Sequence, residues 1–179
     1  MRITGGKYKS RTVVCPPGVI RPAMDRMRES LFSILGSIEG VTFLDLFSGS
    51  GCVGIEAASR GASLVHLVEK DRGKKAVIEK NISMVDSDIK LFMADALRFI
   101  RMAKIKYDIV YADPPFPKNG KVNLLKLVDS EGILKDNGLF IIHYPAEEKF
   151  EWPEDQGSLH FIDERKYGRS LLRFYKKVK

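Results

Sequence analysis

Asp113-Pro114-Pro115-Phe116 ends an apolar run, Tyr107 to Ala112, that reads as a buried strand. Prolines cannot donate to a ladder, so the strand stops and holds Asp113 and Phe116 at its carboxyl end. In open α/β sheets that edge is where ligands bind. The residue types suit chemistry on a planar exocyclic amine, a poor nucleophile because its lone pair is delocalised into the ring. Two acceptors that fix both N–H bonds turn the lone pair towards an electrophile. The Asp113 carboxylate and the Pro114 carbonyl are such a pair, and Phe116 can stack on a base, with base–aromatic stacking worth roughly 1–3 kcal/mol. Direct in-line transfer to such an amine needs no covalent intermediate, and positioning supplies most of the acceleration. By itself the stretch reads as a rigid turn; a second motif gives it the catalytic reading.

That motif is the loop Asp45-Leu-Phe-Ser-Gly-Ser-Gly-Cys-Val-Gly54, in which Gly49, Gly51 and Gly54 spell GxGxxG. The glycines let backbone turn tightly beside a nucleoside cofactor. Glu69 ends the next predicted strand, where a carboxylate would accept ribose hydroxyls. Read literally, the pattern fits a nicotinamide-dependent oxidoreductase. Asp45 argues otherwise, because an anion is unfavourable where a dinucleotide's pyrophosphate would pass. S-adenosylmethionine carries an ammonium and a sulfonium and no phosphate, and a nearby carboxylate suits those cations. A plain loop-capping role for Asp45 is the competing reading.

The elements that must position these residues alternate. Apolar spacing predicts a helix over 24–36, then strands over 41–47, 63–69, 89–94, 107–112 and 138–144, with helices over 52–60, 72–85, 96–103 and 121–128 between them. This order implies a parallel sheet covered on both faces. Segments 159–164 and 170–178 are expected to pair as an antiparallel hairpin. Residues 1–22 hold short β-like pieces among turn residues. The expected division is a basic extension, 1–23, on one domain, 24–179.

The net charge is +7, unevenly spread. Residues 1–28 carry seven Lys/Arg against one acid, residues 165–179 carry seven against none, and the middle carries 16 against 22. Basic ends on an acidic body suggest a polyanionic partner. Lys7, Lys9, Arg11, Arg21 and Arg26 are the candidate phosphate contacts; Arg173, Lys176, Lys177 and Lys179 equally suit mere solvation of the last strand. Cys15 and Cys52 are too few for a disulfide framework, and a reducing cytoplasm is expected. Neither neighbours Asp113 in sequence, which disfavours a carbon-5 pyrimidine methyltransferase with a cysteine nucleophile. Cys52 reads as a small helix-start residue near the cofactor. His66, His143 and His160 are scattered without metal-ligand spacing, so no metal is expected, and His143, at the ligand edge, reads as structural. No apolar run is long enough for a membrane helix.

The quoted motifs, together with "RITGGKYKSR", "RPAMDRMRESLFSIL", "VEKD" and "YGRSLLRFY", cover nearly the whole chain in order. The chain resembles the bacterial small-subunit (16S) ribosomal RNA guanine-N2 methyltransferases, the RsmD-type family. The resemblance implies a Rossmann-like class I methyltransferase fold: a doubly wound, mostly parallel, seven-stranded sheet with a C-terminal antiparallel hairpin. It implies S-adenosylmethionine as donor and guanine N2 in 16S ribosomal RNA, within the small subunit or an assembly intermediate, as acceptor. Asp45, Gly49 and Gly51 would line the methionine side. Glu69, with Lys70 beside it, would meet the ribose, and Asp95 with Ala96 the adenine. Asp113, Pro114, Pro115 and Phe116 would be catalytic, with Asp113 also at the cofactor. Arg21 and Pro22 would close over the methionine carboxylate, and the N-terminal segment would touch RNA. Where many relatives carry threonines, Ala23 and Met24 stand here, so a hydroxyl contact is lost.

Other acceptors fit the amine chemistry, namely adenine N6 in DNA or RNA and a protein glutamine, though basic ends disfavour the last. A non-enzymatic RNA-binding protein would have no use for acids at 45, 69 and 113.

Overall fold

The computed structural model describes residues 1–15, 22–148 and 151–178. One eight-stranded sheet runs through them. Its strands are β1 (Thr42–Leu46), β2 (Leu64–Glu69), β3 (Ile89–Met93), β4 (Tyr107–Ala112), β5 (Leu134–Pro145), β6 (Asp155–Gln156), β7 (Leu159–Tyr167) and β8 (Ser170–Lys177). The spatial order is β3-β2-β1-β4-β5-β8-β7-β6. The first five strands pair in parallel; β8 lies antiparallel between β5 and β7. Seven strands were expected; the eighth, β6, is a two-residue edge piece paired with the start of β7.

Five helices, α1 (Pro22–Leu35), α2 (Cys52–Ser59), α3 (Lys75–Ile82), α4 (Ala96–Met102) and α5 (Lys118–Ser130), cover the sheet. The central strands are buried on both faces, which is why they read as nearly continuous apolar runs. One core, built on Leu44, Leu46, Val110, Phe140 and Ile142, takes α4 and α5. The other, built on Phe43, Val65, Tyr111 and Ile141, takes α1 and α2.

Three elements begin earlier than the sequence predicts; helix α1 starts at Pro22 rather than residue 24, across the expected boundary between extension and domain. Helix α5 starts at Lys118 and includes Gly120, which suggests a loop in the sequence but is needed here because a Cβ there would come 2.7 Å from the Cβ of Phe116. Strand β5 starts at Leu134, pairing with Tyr107 across a register shift. The intervening Asn137, at φ 65°, gives the turn-like "KDNG" its place inside a strand.

Residues 1–15 pack on α2 and α3 and hold a small core of Ile3, Tyr8 and Val13 against Ile55. An isolated antiparallel bridge joins Arg2 and Thr12. A fully buried acid, Glu56, anchors this segment. It accepts from the Thr4 and Gly5 amides, the Thr4 hydroxyl, Arg28 and Arg60. An acid inside the otherwise apolar "CVGIEAAS" helix demanded such partners.

Candidate active site

Strands β1 and β4 are neighbours, with Asp45 opposite Tyr111 and Leu46 opposite Ala112. Their carboxyl ends therefore bring the glycine loop beside Asp113. A cavity of about 300 Å³ opens there, lined by Asp45, Phe47, Ser48, Gly49, Cys52 and Asp113, with Met24, Met27, Arg28 and Leu31 of α1 as the facing wall. Met24 thus supplies apolar wall.

Each part of the loop has a physical reason. Phe47 and Gly49 take left-handed backbone, φ 61° at both, and Gly51 follows at φ 82° to open α2. For a bulky residue such as Phe47 this is strain of the kind that clusters at functional sites. Gly54 lets α2 press on β2: a Cβ there would lie 2.1 Å from a Leu67 methyl. Its amide donates to the Asp45 carboxylate at 3.2 Å. Glu69 accepts from the Gly49 amide at 2.9 Å and from the Asp71 amide at 3.1 Å. It therefore fixes the loop; neither Glu69 nor Gly51 is part of the cavity lining.

Asp45 is 1% exposed. Burial is the main cause pushing its carboxyl up to about 8, with the negative charges of Asp113 and Glu69 adding to it. Burial near two other acids thus favours the protonated carboxyl over the carboxylate.

Asp113 keeps 41% of its side chain exposed, and one oxygen, Oδ1, lies 2.7 Å from His143 Nδ1. A carboxylate oxygen only accepts, so Nδ1 carries the proton. Among the described residues Oδ2 has no partner and stays available. His143 Nε2 is buried with no hydrogen bond. The histidine read as structural is thus the partner of the candidate catalytic acid. Pro114 is buried and Pro115 exposed. The Phe116 ring stands edge-on to Phe47, 5.2 Å between centroids, and so adjoins the cavity wall. Lys121, 2% exposed, donates to the Phe116 carbonyl at 2.7 Å and pairs with Glu148 at 2.6 Å, tying down the loop.

Other expected site residues lie further off. Asp95 caps α4 through the Arg98 amide and stands with Ala96 at the end of β3, outside the cavity lining. Lys70 is exposed beyond β2. Arg21 lies outside the described residues, as does Lys179. Lys7 donates its amide to the Ser59 carbonyl, at the end of α2 remote from the cavity, and pairs with Asp86. Lys9 is exposed nearby, and Arg11 donates to the Met84 carbonyl over the Tyr8 ring. Arg26 is exposed on α1. Arg173 does not solvate the last strand: it is buried, ion-paired with Glu164 and 4.0 Å from the Phe161 ring centroid.

Cys52 opens α2 and lines the cavity, and burial drives its thiol up to about 12. It has no thiolate to offer as a nucleophile. His66 is spent on the Tyr107 hydroxyl at 2.6 Å. No cluster of metal-ligating side chains occurs among the described residues, and no helix among them is long and apolar enough to cross a membrane.

Sequence reasoning missed Arg28, His143 and Lys121. Arg28 had a signal in the lone acid of α2; the other two are joined to their partners across strands and loops.

The parallel sheet with β8 inserted antiparallel, the glycine loop ending in an acid-lined cavity and Asp-Pro-Pro-Phe beside it define a class I methyltransferase. Residues 1–176 match the family model described as "Conserved hypothetical protein 95", and the chain belongs to that family. It is 32% identical to Ribosomal RNA small subunit methyltransferase D of Escherichia coli strain K12, over 99% of this chain and 90% of that protein. It is 28% identical to the protein of the same name from Haemophilus influenzae, over 87% and 84%. The solved structure of yhhF from Escherichia coli superposes with a TM-score of 0.87 at 28% identity, covering 100% of this chain and 98% of that one. The oxidoreductase reading of GxGxxG falls with this membership.

Proposed function

We propose that the protein transfers a methyl group from S-adenosylmethionine to the exocyclic N2 amine of a guanine in 16S ribosomal RNA, within the small subunit or an assembly intermediate, in the cytoplasm. The observation that carries the amine chemistry is Asp113: a half-exposed carboxylate at the end of β4, beside the cavity, with one oxygen fixed by His143 and the other free. The relatives named as ribosomal RNA methyltransferases support RNA as acceptor.

The cavity's residues fit the donor. A buried Asp45 close to Asp113 and Glu69 leaves an acid cluster that a cationic ligand would relieve, and the methionines and leucine of α1 offer an apolar wall. Asp45 and the Gly49 backbone would hold the amino-acid end, and Glu69 the ribose. S-adenosylmethionine, when bound, supplies an electrophilic methyl on sulfur. Asp113 Oδ2 accepts one N–H of the incoming amine and the Pro114 carbonyl the other, aiming the lone pair at the cavity. Phe116 stacks on the base. The methylated amine then loses its proton readily. We read residues 1–23 as an extension of the single domain, and Lys7, Lys9, Arg11, Arg21 and Arg26 as phosphate contacts outside the pocket.

The test is methyl transfer from labelled S-adenosylmethionine to small subunits lacking the modification, to their naked RNA and to duplex DNA, followed by nucleoside analysis. N2-methylguanosine is the expected product. N6-methyladenosine, or label in DNA alone, would keep the amine mechanism and overturn the substrate.

A further inference from the structure

The acidic middle of the chain contains stretches of opposite sign. From Ala96 to Tyr107 there are four cations, Arg98, Arg101, Lys104 and Lys106, and no acid. All four are exposed, and among the described residues none has an ion-pair partner. Lys126 on α5 is likewise exposed and unpaired. Some other cations are paired with acids, as Lys7 is with Asp86, Arg28 with Glu56 and Arg173 with Glu164.

Two of these cations flank a groove. It runs between α4 and α5, about 690 Å³ in volume, with Arg101 on one side, Lys126 on the other and Phe116, Pro117 and Gly120 at its head. Its head is therefore the catalytic loop itself. The one acid in the lining, Asp129, turns its carboxylate to the Ser158 amide and hydroxyl at 2.9 and 2.7 Å. A cationic groove leading to an aromatic ring is the arrangement by which proteins track a single strand. Lys7 of the arm, by contrast, is held at Ser59, the far end of α2 from the cavity-lining Cys52, and an eight-residue helix such as α2 is roughly 12 Å long.

The geometry points to the α4–α5 groove as the path of the RNA strand that flanks the target base, with its phosphates on Arg101 and Lys126 and the wider field supplied by Arg98, Lys104 and Lys106. This rests on the proposed function, and it moves the main backbone contact away from the N-terminal arm. Exposed charge reversal leaves the cofactor cavity untouched, so the two proposals separate experimentally.

The experiment compares the full-length protein, Arg101→Glu/Lys126→Glu, and Lys7→Glu/Lys9→Glu, using unmodified transcribed small-subunit ribosomal RNA as the probe. Fluorescence anisotropy gives RNA affinity across a salt series, and steady-state methyl transfer gives KM for RNA and for S-adenosylmethionine. The groove variant is expected to bind RNA at least tenfold more weakly, with KM for S-adenosylmethionine unchanged. Its log–log salt slope should shrink by about 1.4, for two single-strand phosphates at about 0.7 each. The arm variant should lose less. If the groove variant shows a lowered thermal midpoint, Arg101→Gln/Lys126→Gln is read against the same criteria. Wild-type RNA affinity and slope in the groove variant, while the unaltered protein methylates RNA, overturn the groove alone. No RNA methylation by the unaltered protein overturns the proposed function and this inference with it.

Discussion

Replacing Asp45 by asparagine tests the electrostatics of the pocket. The folded carboxyl sits at about 8 because it is buried near two other acids. A cationic ligand binds the ionised form, so apparent affinity scales with the ionised fraction. That fraction is roughly 1% at pH 6 and roughly 24% at pH 7.5 by simple titration about a value of 8. The affinity for S-adenosylmethionine should therefore rise on the order of tenfold over this interval, with partial loss of the donor's own α-amino charge, which titrates near 7.7–8.0, trimming the gain at its upper end. Binding should also release close to one proton at pH 6.5. Titration calorimetry in two buffers of different ionisation enthalpy measures both. A side-chain amide cannot titrate in this range, so D45N should bind weakly with no slope and no proton release. The sign for stability is opposite. Between about 4 and 8 the native site holds a proton that the unfolded chain has lost, so this group makes the ligand-free protein less stable as pH rises, by up to about 1.4 kcal/mol per unit. D45N should therefore melt higher than the unaltered protein at pH 8. Equal pH slopes for the two proteins would refute the placement of a cation against Asp45.

Removing the acceptor at the reacting end, Asp113→Ala, should lower kcat about a hundredfold or more, from a lost charge-assisted bond of roughly 1.5–3 kcal/mol together with a freely rotating amine; the affinity for S-adenosylmethionine should stay within a few fold, and near-normal turnover would sink the mechanism. His143→Phe removes the donor to Asp113 and should cost about tenfold in kcat, whereas His143→Asn, which can donate from a similar position, should recover most of it with both variants melting alike. Glu56→Ala leaves Arg28 buried without its main partner and should cost about 3–5 kcal/mol in denaturant unfolding. The same variant should raise amide exchange in residues 2–8 above that of the sheet, because the Thr4 and Gly5 bonds end on that carboxylate.

The sequence carried the alternation of strands and helices because the central strands are buried on both faces and their apolar runs survive any reading frame of partners. It carried the glycine loop and Asp-Pro-Pro-Phe because those depend on local backbone constraints. It did not carry the starts of α5 and β5, where Gly120 and Asn137 obey the local rule for loops yet are overruled by Phe116 and by pairing to Tyr107. Segment charge misled for a related reason. Arg28 and Arg173 count towards the basic ends, yet both are buried beside acids outside those ends, Glu56 and Glu164. His143 stands 30 residues from Asp113, and only the parallel register of β4 and β5 brings them together.

The insertion of β8 between β5 and β7 has a consequence for biosynthesis. Strand β5 carries the apolar sequence Phe-Ile-Ile from Phe140 to Ile142, and its outer edge is closed only by residues 170–176. While the chain is being made, β5 and β7 both emerge before the strand that joins them. Until β8 arrives, the nascent protein presents an open apolar edge of the kind that recruits foreign strands. Shielding by a chaperone, or rapid completion of the last thirty or so residues, should therefore raise the yield of soluble protein. A stop codon after Tyr167 should send the product to inclusion bodies although the residues of the catalytic pocket are all present.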